Sequence, residues 1–112
     1  MDKIKKYQEI IVSFLEEYAK TPYANSPDLE KQVIADVERN HFQLVRIGWD
    51  RKTFKHETIF HVDIKNEKVW IQQNWTDIEI ADEFLERGIP STDIVLGFQP
   101  PYARVYSGFA VA

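Results

Sequence analysis

From His56 to Asn74 the chain reads HETIFHVDIKNEKVWIQQN. Two runs of alternating character meet at Lys65-Asn66-Glu67. In the first, Thr58, Phe60, Val62 and Ile64 alternate with Glu57, Ile59, His61 and Asp63. In the second, Val69, Ile71 and Gln73 alternate with Lys68, Trp70, Gln72 and Asn74. A period of two marks strands that present different faces to different surroundings. A connection this short makes the two strands antiparallel neighbours.

The same reading extends upstream. Residues 32–38 place Val33, Ala35 and Val37 on one face, and Arg39-Asn40 is a tight turn because Asn tolerates positive φ. Residues 41–49 begin with Phe42 and Leu44 on one phase and continue with Val45, Ile47 and Trp49 on the other. That slip predicts a bulge near Leu44 or a strand covered on both faces. Asp50 to Lys55 form a polar, basic connection. The expectation is a four-stranded, or slightly larger, antiparallel meander.

Helices flank it. Ile4, Tyr7, Ile10, Ile11, Phe14, Leu15 and Tyr18 recur at spacings of three and four, which predicts an amphipathic helix over residues 2–20. Asp2 is placed to cap it, and Thr21-Pro22 stops it, opening a loop over residues 21–29. After the sheet, Thr76 and Glu79 have the spacing of a capping box, and Trp75 and Ile80 that of a hydrophobic staple. Ile78, Ala81, Phe84 and Leu85 form the stripe to be buried, and Gly88 with Pro90 ends the helix. Ser91-Thr92-Asp93 reads as a single turn leading into Ile94-Val95-Leu96, Gly97 to Pro101 as a stiff extended segment, and Phe109 to Ala112 as a short edge strand. The fold class expected is a two-layer α+β domain, residues 1–112, with two main helices on one face of the sheet.

Composition narrows function. The 112 residues are 44% hydrophobic and 29% charged, with seven Phe, five Tyr and three Trp, which is the make-up of one globular domain. A net charge of −4 argues against a stand-alone nucleic-acid binder. With no cysteine there is no disulfide, thiolate nucleophile or Cys-based zinc site. No stretch approaches the about 18 apolar residues of a membrane helix, and the expectation is a cytoplasmic protein with no membrane partner.

Chemical candidates are few. Asp50 with Asp63-Ile64-Lys65 imitates the carboxylate pattern of metal-dependent nucleases. His61 and Asp63, with Glu57 further along, offer two or three metal donors, but His41 and His56 lie on other segments, so neither a metal nor a cofactor is expected. The basic cluster Arg51, Lys52, Lys55 and His56 would suit a phosphate, with Phe54 stacking on a base, or be a solvated turn. Binding surfaces are better supported. Trp70, Gln72 and Asn74 share a strand face beside Ile59 and Trp49, which would be exposed for a partner unless the C-terminal segment covers it. Pro100-Pro101-Tyr102 is either a rigid ligand-like segment or a loop with Tyr102 turned inward. The Phe109 to Ala112 strand would allow edge pairing in a homodimer.

A resemblance sharpens this. His61-Val62-Asp63-Ile64-Lys65, Val69 to Asn74, Asp93 to Phe98, Pro100-Pro101-Tyr102 and Gly108 to Ala112 together resemble the XisI family, the fdxN-element excision controlling factors of cyanobacteria. The opening helix and Gly48-Trp49-Asp50 fit as well. Trp75 and Asn66-Glu67 depart from the family pattern. The resemblance implies an accessory role in excising a DNA element during heterocyst differentiation. It also implies an XisH-like, nuclease-fold protein as partner, with DNA met only indirectly. It carries over no catalytic residue. The expected function is therefore a non-enzymatic controlling factor. The alternatives are an antitoxin-like inhibitor of that partner and a weak metal-dependent nuclease.

Overall fold

A computed structural model describes residues 2–112. The elements run α1 (Lys3–Ala19), β1 (Leu29–Asp36), β2 (His41–Asp50), β3 (Thr53–Lys65), β4 (Lys68–Asn74), α2 (Ile80–Glu86), a 3-10 turn (Ser91–Asp93), β5 (Ile94–Leu96) and α3 (Pro101–Arg104). The strands form one five-stranded sheet in sequence order. β1 to β4 are the expected antiparallel meander, but β5 pairs parallel to β4. The sheet is therefore mixed, not a four-stranded antiparallel one. Parallel pairing requires the chain to cross back before β5, and α2 fills that crossover.

α1 forms where the three-four spacing placed it. The Asp2 carboxylate accepts from the backbone N–H of Ile4 at 2.9 Å and caps the first turn. Tyr7, Ile11, Phe14 and Leu15 are buried against the sheet. With Ile80, Ala81 and Phe84 of α2 they cover Phe42, Leu44, Phe60, Val62, Ile64, Val69, Ile71 and Ile94, one core on one face. Its centre is aromatic: Phe60 meets Phe14 edge-on at 5.5 Å and Tyr18 at 5.0 Å, and Phe14 meets Phe84 at 5.7 Å. Such pairs add about 0.5–1.5 kcal/mol each beyond burial.

The Tyr7 hydroxyl donates to Asp93, whose carboxylate also meets Lys3 at 3.2 Å, so α1 is clamped to the turn before β5. Burial, then the hydrogen bond and charge of Asp93, push the Tyr7 phenol up to about 12.

Several local expectations fail for definite reasons. The capping box does not form. Thr76 Oγ1 donates to Asn74 Oδ1 at 2.7 Å and accepts from the Ile78 N–H at 3.1 Å instead of the Glu79 N–H, so Thr76 closes a turn before the helix and Glu79 becomes the N-cap residue without a side-chain bond. Trp75 is 62% exposed, so no staple forms, and Leu85 at 37% lies at the margin of the buried stripe. Pro100 is extended, but Pro101 opens α3 instead of continuing a stiff segment, since proline suits the first turn of a helix. The closing strand is reduced to one bridge, Val95 to Ala110. β1 starts three residues earlier than expected, at Leu29, and β3 starts at Thr53, which shrinks the basic connection to Arg51-Lys52.

The bulge expected near Leu44 forms, at the Leu44/Val45 step, but the strand opposite carries it. Leu44 pairs with Phe60 and Val45 with Thr58, so the extra residue is Ile59 of β3. It reverses the phase of that strand. Glu57 turns to the helix side, where it holds Arg46 at 2.6 Å, while His61 and Asp63 remain on the far side. A second extra residue, Gln72, interrupts β3–β4 pairing. At Gly48 (φ 136°) a Cβ would lie 2.3 Å from the carbonyl oxygen of Asp28, so only glycine lets the chain before β1 pass β2.

Candidate functional site

The face of the sheet away from α1 is divided. Over β4 and β5 the C-terminal segment lies across it. Trp70 is 7% exposed there, packed between the Lys65 ammonium at 4.0 Å and the Arg104 guanidinium at 5.1 Å from the ring centre. Arg104 also donates to the carbonyls of Gln99 at 3.0 Å and Val111 at 3.3 Å, which folds residues 97–111 into a strap. The strap sits close. A Cβ on Gly97 would lie 2.2 Å from Gln72 Oε1 and 3.2 Å from the Trp70 ring. Ala110 N–H donates to the Ile94 carbonyl at 2.8 Å and fixes the strap's far end.

This arrangement redistributes the expected contact residues. Trp70 is under the strap and Ile59 is in the main core. Asn74 is spent on the loop into α2, donating to the Ile78 carbonyl at 2.7 Å. Gln72 donates to Asp63 at 3.3 Å. None of these four is a free surface. Trp49 stays 55% exposed, edge-on to Phe54 at 5.4 Å. Pro100 and Pro101 are exposed, and Tyr102, at 78%, faces outward rather than inward.

The strap also carries residues the sequence reading passed over. Phe98, Val105, Tyr106 and Val111 are all at least half exposed, Tyr106 at 88%. Tyr102, Val105 and Tyr106 have the i, i+3, i+4 spacing of one helix face. The signal was present; the preceding Pro-Pro hid it by suggesting an extended chain. Here the apolar stripe points away from the core, the reverse of α1.

The basic cluster is divided between the two faces of one hairpin end. Arg51 and Lys52 occupy the β2–β3 turn, exposed, while Lys55 sits opposite Gly48 and reaches Asp50 at 4.0 Å. Phe54 and His56, its neighbours in the strand, point to the other face. The nuclease pattern is dispersed as well. Asp50 pairs across from Thr53 at one end of the hairpin, and Asp63 pairs across from His41 at the other, about 30 Å away at strand rise. Lys65 lies over Trp70. The three groups that would have to share a metal do not meet.

A different cluster does form. His41, placed on a separate segment by the sequence reading, stands directly across the ladder from Asp63. His41 Nδ1 donates to Asp63 Oδ1 at 2.8 Å, and His61 Nε2 donates to the same oxygen at 2.9 Å. Burial pushes the Asp63 carboxyl up, but the hydrogen bonds from His41 and His61, the charge of His61 and the bond from Gln72 outweigh it and hold the carboxyl below its usual range. A groove of about 350 Å³ lined by Lys6, Glu9, Ile10, Ser13 and Arg87 lies on α1, on the opposite side of the sheet.

The family model of the XisI protein matches residues 1–111. The chain belongs to the XisI family. Two solved structures from Anabaena variabilis ATCC 29413 have the same architecture. An XisI-like protein is 42% identical, with a TM-score of 0.89 over 97% of this chain and 99% of its own. The fdxN element excision controlling factor XisI is 33% identical, with a TM-score of 0.82 over 99% of this chain and all of its own. No curated protein sequence matches the chain. The XisI fold is thus a five-stranded mixed sheet with three helices, and no helix among the described residues is long and apolar enough to cross a membrane.

Proposed function

We propose that this XisI-family chain is a non-enzymatic controlling factor for excision of a DNA element, and that it acts by docking on an XisH-like, nuclease-fold partner. Family membership and likeness to an fdxN element excision controlling factor support the setting. The observation that carries the docking is the exposure of Tyr102 on α3, of its C-cap Val105 and of Tyr106 in the turn that follows. Large exposed aromatics gathered on one short element are the usual mark of an interface. The strap presents them on a rigid base, because Arg104 ties it to Trp70 and to its own carbonyls. Pre-ordering of this kind lowers the entropy lost on association. The net charge of −4 suits a partner with a basic DNA-binding groove, which such an acidic protein would approach quickly.

Co-expression with the XisH-like protein and capture of the pair test the reading. The doubly charged variant Tyr102→Glu, Tyr106→Glu is expected to lose at least about tenfold in affinity, since hot-spot aromatics contribute about 2 kcal/mol or more each, with an unchanged circular dichroism spectrum. Trp49→Glu should bind as the parent does. Capture unaffected by the double substitution, or no capture by the parent chain, ends the proposal.

A further inference from the structure

We propose that His41, His61 and Asp63 form a binding site for a divalent transition cation of the zinc class. Two imidazole nitrogens and one carboxylate oxygen converge on the far face of the sheet, all within 4.8 Å of one another. In a tetrahedral shell with bonds of about 2.0–2.2 Å, ligand atoms stand about 3.3–3.6 Å apart. The separations of 2.8 Å from His41 Nδ1 to Asp63 Oδ1 and of 2.9 Å from His61 Nε2 to the same atom fall roughly half an ångström short of that, a difference that small rotations of the two rings make up. An ion at this point would take the place of the two shared protons. His41 is the most exposed of the three, with 56% of its side chain accessible, so its ring has room to swing onto the ion.

The surroundings suit ligation. Gln72 Nε2 holds the other carboxylate oxygen, Oδ2, at 3.3 Å and so aims Oδ1 outward. Gln43 lies 3.5 Å from His61 Nδ1, and rotation of its carboxamide would offer an oxygen to the Nδ1–H of a metal-bound ring. Outer partners of this kind fix the tautomer and orientation of ligating histidines. Asp36 stands across the ladder from His41 and adds a second negative charge, itself held by Arg39 at 3.2 Å. Asp63 is half-buried and its side chain is 16% accessible, so its charge is less screened than that of a surface carboxylate. The two histidines come from adjacent strands, which hold them more firmly than loops do.

Ligand chemistry selects the ion. Two imidazoles with one carboxylate favour Zn²⁺ and its neighbours in the first transition row over Mg²⁺ and Ca²⁺, which prefer oxygen-only shells. Three protein ligands leave at least one position for water or another donor, and the side of His41 away from the sheet is open to solvent.

The test is titration of the tag-free, chelator-treated chain with ZnCl₂ by calorimetry, and with CoCl₂ by visible absorption. The expected result is one equivalent of zinc bound, and a cobalt spectrum of a four- or five-coordinate site. Affinity should fall at least about tenfold in each of His41→Gln, His61→Gln and Asp63→Asn, and stay unchanged in His56→Gln. His41→Gln changes an exposed side chain, so it reports on the site even if the other variants fold poorly. Absence of binding at millimolar zinc, binding that survives His41→Gln, or equal binding of MgCl₂ would overturn the proposal.

Discussion

The two faces of the sheet are closed in opposite ways. On one side a 17-residue helix and α2 lay buried aromatic and aliphatic side chains directly on the strands. On the other, a strap with exposed apolar residues covers Trp70 and Val95, and the rest of the face keeps His41, His61, Trp49 and Phe54 within reach of solvent. The first face holds the fold by area removed from water. The second is held by a few polar ties and leaves side chains with unfilled capacity. The buried core and the proposed recognition surface lie on different sides of one sheet.

Core truncation should separate the faces most widely. Phe60→Ala removes a fully buried ring that two aromatics touch edge-on, and is expected to cost about 3–5 kcal/mol in urea unfolding. Tyr106→Ala, on the strap, should stay within about 0.5 kcal/mol of the parent. Similar costs for the two would erase the contrast.

The polar clamp on the closed face gives the next effect. The Tyr7 phenol has a folded value of about 12, above its unfolded value near 10, so its contribution is complete below pH 10 and lost as pH rises towards 12. Relative to Tyr7→Phe, the parent should lose about 2 kcal/mol between pH 9 and pH 12. Parallel pH curves for the two proteins would mean that α1 seals this face less tightly than the geometry says.

The smallest effect belongs to the strap. Arg104→Ala removes the bonds to Gln99 and Val111 and the cation over Trp70, worth together about 1–2 kcal/mol. Hydrogen exchange at the Ala110 amide should quicken markedly while the amides of Ile11 and Phe14 keep their protection. Slow exchange at Ala110 in the variant would show that Arg104 is not what holds the strap.

Much of this architecture could be read from residue order. The α1 stripe, the Asp2 cap, the turns at Asn40 and Asn66-Glu67, and the meander follow from local periodicity and from residues that accept positive φ. What escaped was whatever depends on partners distant in the chain. Ile94-Val95-Leu96 is too short to signal a parallel strand, and its pairing with β4 is decided by where α2 delivers it. One local expectation failed too: Thr76 and Glu79 have the right spacing for a box, yet Thr76 Oγ1 accepts from the Ile78 N–H and the helix begins later. Whether Trp70 is exposed or lies under the C-terminal segment stays open in the sequence, because alternation says which residues share a face, not what lies over that face.

The histidine–aspartate cluster was hidden for a subtler reason. A regular hairpin closed at Asp50 and Thr53 would set His41 against Val62; the additional Ile59 sets it against Asp63. Ile59 thus behaves as a frameshift within the strand, translated into space instead of codons. Downstream of it every side chain reads on the opposite surface from the one its upstream neighbours would dictate. A lineage that deleted this single residue would keep nearly the same composition and hydrophobicity. It would nonetheless turn His61 and Asp63 towards the helices and dissolve the cluster, or else force the whole strand to slide.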